Sequence, residues 1–376
     1  MSTLQFSQLL GRPIRQDRPA DLGRSTGALL DEALARGDTA EARAYLDYLF
    51  QERAIIRQLN AVFAWHLAKY VLDRQGEGFW PSLVEQTLAP WITASAGIAN
   101  SPQAMVSTTP AHGTTGRAAR VTAGSNSFDV VEQDGQYQIA IGPLPEQLER
   151  WTRRRQSLTT LLAQPDREEI SRLLAEQLRE ELIVHDIYGD WDWALMSWIC
   201  RTWGEAGFGD VLRITQDPWL KPRYQRVTQM TAEESLQLSV EGMRGHFAGP
   251  GRTGELTVVD EPDRYVMSFD ACGSGGRMRR GDATTDSPSR LGPPYNFLNL
   301  DEAYPWTWSR KGVCAYCAHC AMALQIMPIE ELGHPMRVTE YPENADDPCR
   351  WIVYKKPELI PDEAYAVVGK TPPKRR

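Results

Sequence analysis

The sequence lacks any apolar run that approaches the ~18 residues of a membrane-spanning helix. Its N-terminus, MSTLQFSQLLGRPIRQ, has no basic segment followed by an apolar one, as a signal peptide would. An excess of basic residues is also missing, because the 376 residues carry a formal net charge of −8. We therefore expect a cytoplasmic protein with no membrane and no nucleic-acid partner.

Cysteines are few but unevenly placed. The chain has six, and Cys314, Cys317 and Cys320 fall within one short stretch, GVCAYCAHC. This clustering is not typical of a disulfide framework, and in a reducing compartment it favours metal binding or redox chemistry. Successive spacings of three predict that a helix presents the three thiols on one side, within an arc of roughly 120°. Converging thiolates are the ligands of soft metals and iron–sulfur clusters.

Further metal ligands are predicted inside and outside this stretch, namely His319, Cys272 and Cys349. Zinc needs only four ligands and is our first choice of metal. The C-x2-C-x2-C run with a remote cysteine also suits a [4Fe–4S] cluster, although the nearby fourth cysteine and the proline of the ferredoxin pattern are absent. The third alternative is a metal-free site, either a pair of redox-active thiols or plain buried thiols.

A glycine-rich loop with several arginines begins at Cys272, in the stretch CGSGGRMRRG. Its glycines allow tight turns that expose backbone N–H groups, and guanidinium groups bind carboxylate or phosphate. The GK[ST] ending of a P-loop is missing. The predicted substrate-binding residues are Ser274, Arg277, Arg279, Arg280, Trp306 and Trp308. The alternatives are that the loop is only a connection and that the tryptophans only fill a core.

Two segments offer candidates for acid–base catalysis. Glu241 and His246 lie in EGMRGHF, and His185 precedes Asp186 in IVHDIYG. Because histidine titrates near neutral pH, His246 and His185 are candidate proton carriers, with Glu241 as a third catalytic candidate. The alternatives are a surface ion pair at Glu241, a helix-ending His246 and a structural His185.

The hydrophobic pattern predicts helices with inserted hairpins. The clearest helix spans 39–75, where apolar residues recur at spacings of three, four and seven. Turn-rich segments predict three hairpins, around Asp134-Gly135, around Glu261-Pro262-Asp263 and within PENADDP. Other helices are expected at 81–91, 166–184, 190–202 and 232–245, and one opened by the cysteine stretch and ending near Gly333.

This order predicts an α+β fold rather than a doubly wound parallel sheet. We expect a helical N-terminal region at 1–95, with an irregular start at 1–24. The stretch 96–127 is rich in Ser, Thr, Gly and Ala and is expected to be a linker. Residues 128–376 are expected to form a mixed domain of helices and antiparallel hairpins that holds the cysteine-rich metal site.

The stretch HCAMALQIMPIEELGHPMRVTEYPENADDPCRWIVYK combines a cysteine-containing helix with a hairpin whose second strand begins at Cys349. Together with the preceding helical segment that contains His185, Trp191 and Trp198, it resembles the 4-vinyl-reductase-like small-molecule-binding domains and the related aminothiazoline-carboxylate hydrolase-like family. The resemblance covers about residues 165–356 and implies a cytoplasmic α+β domain that encloses a small organic ligand. The cysteine triplet and the CGSGGRMRR loop depart from that pattern, so no catalytic residue is carried over.

Three functions are compatible with these features. The first is a zinc–thiolate hydrolase or lyase that acts on a small anionic organic substrate, with the metal polarising a carbonyl or activating water. The second is a [4Fe–4S] oxidoreductase or reductive-cleavage enzyme. The third is a non-enzymatic sensor of small molecules or redox state, in which the metal only stabilises the fold. The oligomeric state is not predicted.

Overall fold

The structure is a computed structural model that describes residues 3–98, 104–109, 116–163, 166–344 and 346–373. Helices of very different lengths make up most of it. They are α1 (Thr26–Arg36), α2 (Thr39–Gln75), α3 (Trp80–Thr87), α4 (Ile92–Ser95), α5 (Leu144–Leu161), α6 (Arg167–Trp203), α7 (Phe208–Val227), α8 (Ala232–Gly245), α9 (Gly275–Arg280), α10 (Ala318–Ala321), α11 (Met327–Leu332) and α12 (Asp362–Ala366).

The strands form small antiparallel sheets. They are β1 (Leu4–Ser7), β2 (Arg12–Arg15), β3 (Met105–Thr109), β4 (Ala118–Ala123), β5 (Asn126–Gln133), β6 (Gln136–Ile141), β7 (Thr257–Asp260), β8 (Arg264–Phe269), β9 (Asn299–Leu300), β10 (Val313–Cys314), β11 (Val338–Glu340) and β12 (Cys349–Tyr354). The sheet orders are β1-β2, β3-β4-β5-β6, β11-β12-β8-β7 and β9-β10. Helices combined with antiparallel sheets confirm the predicted α+β class.

Two long helices, α2 and α6, pack against each other in the core. Each spans 37 residues and begins after an aspartate that accepts a hydrogen bond from the backbone three residues later. The bounds of α2 confirm the predicted helix. The separate helices expected at 166–184 and 190–202 are one helix, because Gly189 stays helical where its bare backbone packs against Met278.

Two segments that we expected to be irregular contain strands, so both expectations are wrong. The β1–β2 hairpin lies within 1–24, and the stretch 96–127 contains β3, β4 and the start of β5. Small residues, Ala119, Val121 and Ala123, alternate toward the core along β4, so the segment forms one buried sheet face without large side chains. Residues 99–103 and 110–115 of the expected linker lie outside the described residues.

Helix α7 was not predicted, because Pro218 and Pro222 lie inside it and proline usually ends a helix. Burial of an apolar face that includes Phe208, Val211 and Leu212 holds the helix together despite the two prolines. Tertiary packing therefore outweighs the local preference of this segment.

The sheet β11-β12-β8-β7 positions the cysteine-rich region. All three predicted hairpins are present, and the pairing of Cys349 with Phe269 brings the start of β12 next to the end of β8. The loop after β8 leads directly into α9. On the other side, α10 continues through a π-helical turn, Met322–Ile326, into α11, which ends as predicted at Gly333 with φ at 82°.

Candidate functional site

A small cavity lies where the loop after β8, the start of α10 and the β11–β12 hairpin meet. Its volume is about 50 Å³. Pockets for organic ligands usually measure about 300–1,000 Å³, so the cavity is sized for an ion or a small inorganic group. Thiols, histidines and aromatic rings make up most of its wall, which comprises Met243, His246, Phe269, Cys272, Ser274, Gly275, Gly276, Arg279, Trp308, Tyr316, Cys317, His319, Cys320, Thr339, Tyr341, Cys349 and Trp351.

Four of the five cysteines expected at a metal site line this cavity: Cys272, Cys317, Cys320 and Cys349. They come from three separate segments of the chain, and none of them is in a disulfide. Cys317 immediately precedes α10 and Cys320 lies in its first turn. The β8–β12 register brings Cys349 toward the loop that contains Cys272.

The expected helical arc of three thiols is wrong for Cys314. This residue lies in β10, where it pairs with Asn299, and the chain becomes helical only after Cys317. Cys314 therefore does not line the cavity. It lies behind Cys317 instead, with its Sγ accepting a hydrogen bond from the Cys317 backbone N–H at 3.4 Å.

The glycines after Cys272 allow the sulfur atoms to approach the backbone closely. A Cβ atom on Gly275 would lie 2.5 Å from Sγ of Cys317, and one on Gly276 would lie 3.0 Å from Sγ of Cys272. The backbone N–H of Gly276 also donates to Sγ of Cys272 at 2.8 Å. Larger residues here would displace two of the four thiols.

The surroundings of the thiols control their ionisation. Burial raises the pKa of Cys272, and it raises the pKa values of Cys320 and Cys349 well above that of an ordinary thiol. Cys317 differs, because a hydrogen bond from Cys314 lowers its pKa against the effect of burial, with help from a nearby guanidinium. Bound metal cations deprotonate thiols, so a cation in the cavity would supply the charge that three of these thiols need to ionise.

A hydrogen-bonded chain of side chains leads away from the cavity through His246 and His185. Nδ1 of His246 lies 3.1 Å from Nε2 of His185, and Nδ1 of His185 lies 3.1 Å from Oδ1 of Asp186. Nδ1 of His185 also lies 3.3 Å from Nη2 of Arg252, which can only donate. The shorter contact, to a carboxylate that only accepts, assigns the proton to Nδ1, so Nε2 of His185 accepts from His246. Nε2 of His246 is then left as a proton acceptor. The structure thus joins two catalytic candidates from the sequence in one chain.

Burial sets the charge state of these hydrogen-bonded side chains. It lowers the pKa of His185. Burial and the neighbouring His185 lower the pKa of His246 well below its ordinary value. Burial also opposes ionisation of Asp186, but Arg252 and Arg277 outweigh it and hold the pKa of this carboxyl well below its ordinary value. At neutral pH both imidazoles are therefore neutral and Asp186 is charged.

Arg252 fixes the orientation of Asp186. Its Nη2 and Nη1 atoms donate to the two carboxylate oxygens at 2.6 and 2.7 Å, and Nη1 also donates to Asp282 at 3.0 Å. Arg252 and Asp186 are both almost fully buried. A clamped carboxylate can hold His185 in one tautomer, as the third member of a catalytic triad does.

His319 also lines the cavity and has a defined tautomer. Its Nδ1 donates to the carbonyl oxygen of Tyr316 at 2.6 Å, which leaves Nε2, 3.6 Å from Sγ of Cys320, as an acceptor. Burial lowers the pKa of His319 to about 4. Ser274, Arg279 and Trp308, expected at a substrate site, line the same cavity.

Glu241 and Arg280 do not line the cavity, contrary to our expectation. Glu241 accepts hydrogen bonds from both Nη atoms of Arg12, at 2.5 and 2.9 Å, and from Tyr48. It therefore fastens the β1–β2 hairpin to the helices. Arg280 pairs with Asp270 on the outer side of the loop.

Arg277 and Trp306 are likewise displaced from the cavity. Successive helical positions differ by about 100°, so Arg277 projects away from the direction of Arg279 and lies 3.4 Å from Asp186 in the buried ionic network. Trp306 stacks on Tyr304, with ring centroids 4.6 Å apart, and packs against the backbone at Gly209. Both residues have structural contacts where we expected substrate.

Several cavity residues were missed by sequence reasoning, although one pattern could have revealed Trp351. Side chains two apart on a strand share a face, so Trp351 follows Cys349 into the cavity. Arg252, by contrast, has no sequence signal, because it meets Asp186 only in the folded chain.

No three His, Cys, Asp or Glu side chains within the described ranges are placed to hold a single metal ion. Among the same residues, no helix combines the length and apolar character needed to cross a membrane. Comparisons of the chain with models of known families, with curated proteins and with solved structures found no match. The resemblance to the 4-vinyl-reductase-like and aminothiazoline-carboxylate hydrolase-like families therefore stays a prediction.

Proposed function

We propose that this protein binds an iron–sulfur cluster through Cys272, Cys317, Cys320 and Cys349 and uses it in redox chemistry on a small molecule. One observation carries the proposal, namely that these four thiols from three separate segments line one cavity. The C-x2-C-x2-C run with remote cysteines agrees with cluster ligation. This was our second choice from the sequence.

The placement of the thiols favours a cluster over a single zinc ion. Tetrahedral zinc, with Zn–S bonds of about 2.3 Å, needs its sulfur ligands roughly 4 Å from one another. The described side chains form no such group of three, whereas four thiols surround a cavity. A [4Fe–4S] cluster binds its four thiolates through different iron atoms, so its cysteines need not converge on a single point. Zinc binding would require the cysteine side chains to move inward.

A bound cluster would supply single electrons at a potential that the protein tunes. The protein's own side chains would manage protons. Nε2 of His246 can accept a proton from a group in the cavity while Nδ1 passes its proton to His185. The resulting imidazolium of His185 would lie beside the charged Asp186, which stabilises it. The reverse transfer would return the proton to that group in the cavity.

The first test is the composition of the full-length protein purified without oxygen. Iron and acid-labile sulfide in equal amounts, with a visible absorption band, would support the proposal. One zinc without sulfide would overturn it in favour of the zinc enzyme or of a protein with a structural zinc. Neither metal, even after reconstitution with iron and sulfide, would also overturn it and leave a thiol protein.

Cysteine variants test which residues are the ligands. We expect Cys317→Ser and Cys349→Ser to lose iron and sulfide. Cys314→Ser should retain them, because Cys314 contacts Cys317 from behind and does not line the cavity. Cys200→Ser is the matched control, since Cys200 is buried in α6. Equal loss of iron in all four variants would contradict the assignment.

A further inference from the structure

Three polar groups in the wall of the cysteine cavity have no hydrogen-bond partner among the described residues. They are Nε of Arg279, Oγ1 of Thr339 and Nε1 of Trp351. Arg279 and Thr339 are only 7% and 6% exposed, so water does not readily replace the missing partner. A buried polar group without a partner loses its hydrogen bonds to water and gains none in return, which destabilises the fold. Three such groups around one cavity therefore indicate a ligand that accepts hydrogen bonds.

The chemistry of the three groups defines that ligand. The N–H groups of arginine and tryptophan donate and cannot accept, and the guanidinium also carries a permanent positive charge. The complementary ligand is an anion rich in acceptors, which describes a cluster held by four thiolates. Another donor in the cavity wall does have a partner, since Nε1 of Trp308 donates to Oε1 of Gln325 at 2.6 Å.

The fold places these donors on two sides of the cavity. Thr339 and Trp351 lie opposite each other in the register of the β11–β12 hairpin, and Trp351 is two residues from Cys349 on the same strand face. Arg279 projects from α9, where its guanidinium lies over the ring of Tyr341, 4.9 Å from the centroid. The donors therefore lie beside the thiols on both α9 and the sheet.

We propose that Arg279, Thr339 and Trp351 donate hydrogen bonds to the sulfur atoms of the centre held by the four cysteines, and that Arg279 raises its reduction potential. This inference rests on the proposed function. Uptake of one electron makes the centre more negative, so a neighbouring cation and N–H donors stabilise the reduced state more than the oxidised state. The three are positioning residues, since they act on the substrate only through the centre.

The test is an anaerobic potentiometric titration of the full-length, cluster-loaded protein, with dithionite as the one-electron reductant. In Arg279→Gln we expect the midpoint potential to fall by at least 59 mV, which is a tenfold change in the equilibrium constant for one electron. Arg279→Lys should keep most of the potential, because it keeps the charge. Arg280→Gln is the matched control and should titrate as wild type, since Arg280 pairs with Asp270 outside the cavity.

Two milder variants, Trp351→Phe and Thr339→Val, each remove one donor and should cause smaller negative shifts. A wild-type protein that binds no cluster overturns the proposed function. A wild-type potential in fully loaded Arg279→Gln overturns this inference alone. If Arg279→Gln fails to fold or to load, Trp351→Phe and Thr339→Val decide, and unchanged potentials in both overturn the inference.

Discussion

Replacement of Asp186 by Asn is the sharpest test of the hydrogen-bonded side chains His246, His185 and Asp186, which lead away from the cavity. The carboxylate accepts from both Nη atoms of Arg252, at 2.6 and 2.7 Å, and lies 3.4 Å from Arg277. Its side chain is almost fully buried. Asp186→Asn removes a counter-charge from two buried guanidiniums, so that, among the described residues, Arg252 keeps only Asp282, at 3.0 Å, and Arg277 only the more distant Asp190, at 3.8 Å. Removal of one partner of a buried ion pair costs about 3–5 kcal/mol. We therefore expect the free energy of unfolding to fall by about that amount in urea titrations.

The same substitution should change the tautomer of His185. The carboxylate accepts from Nδ1 of His185, whereas the amide of Asn can also donate to that nitrogen. Nitrogen-15 NMR distinguishes a protonated Nδ1 from a protonated Nε2. We expect a single tautomer with the proton on Nδ1 in the wild-type protein, and a mixed or reversed tautomer in Asp186→Asn.

Asp282→Asn is the matched control for both measurements. Asp282 accepts from the same Arg252 at 3.0 Å but makes no hydrogen bond to His185. Its replacement should cost roughly 1–3 kcal/mol, the cost of one hydrogen bond to a charged group, and leave the tautomer unchanged. A loss below about 1 kcal/mol in Asp186→Asn, or the same tautomer in both variants, would refute the reasoning.

Three further predictions concern the backbone, pH and the N-terminal hairpin. Gly273→Ala should abolish soluble folded protein, because the added Cβ would overlap the carbonyl oxygen of His246. Gly292→Ala is the control, since a Cβ at Gly292 would face open space, and circular dichroism should show a normally folded protein. His185 and His246 stay neutral when folded, so the unfolded chain binds more protons below its ordinary histidine pKa of about 6.5. The free energy of unfolding should therefore fall as the pH drops below about 6.5, by up to ~1.4 kcal/mol per pH unit for each histidine, and His246→Gln should reduce the slope. Glu241→Gln should weaken the ion pair with Arg12 and speed proteolysis within 4–15, and an unchanged cleavage rate would contradict the role assigned to Glu241.

Local patterns predicted the regular parts of the fold well. The spacing of apolar residues was sufficient to predict α2, whose 37 residues agree with the expected bounds. It was also sufficient to predict α8. Turn residues were sufficient for the three hairpins, because Asp-Gly and Pro-containing turns constrain the backbone by themselves. Where local and tertiary preferences conflict, as at Gly189 in α6 and at the two prolines in α7, the local rule was wrong.

For the candidate site, too, local patterns predicted one part and tertiary structure decided the other. The clustering of cysteines and the glycine loop are properties of the sequence, and they predicted the thiols and Arg279 as neighbours. Only the tertiary structure separated Arg279, which lines the cavity, from Arg277 and Arg280, which do not. The helical rotation of about 100° per residue sends adjacent arginines in different directions, and sequence alone does not say which direction faces the thiols.

By itself, the sequence determined the α+β class, the main periodic helices, the hairpins and the presence of a thiol-rich site. These depend on local spacing and residue chemistry. Tertiary structure alone decided that Cys314 lies behind the cavity, that His246 joins His185 and the clamped Asp186, and that Glu241 fastens the N-terminal hairpin. Such contacts join residues far apart in the chain, and packing of the whole core, not any local pattern, fixes their distances.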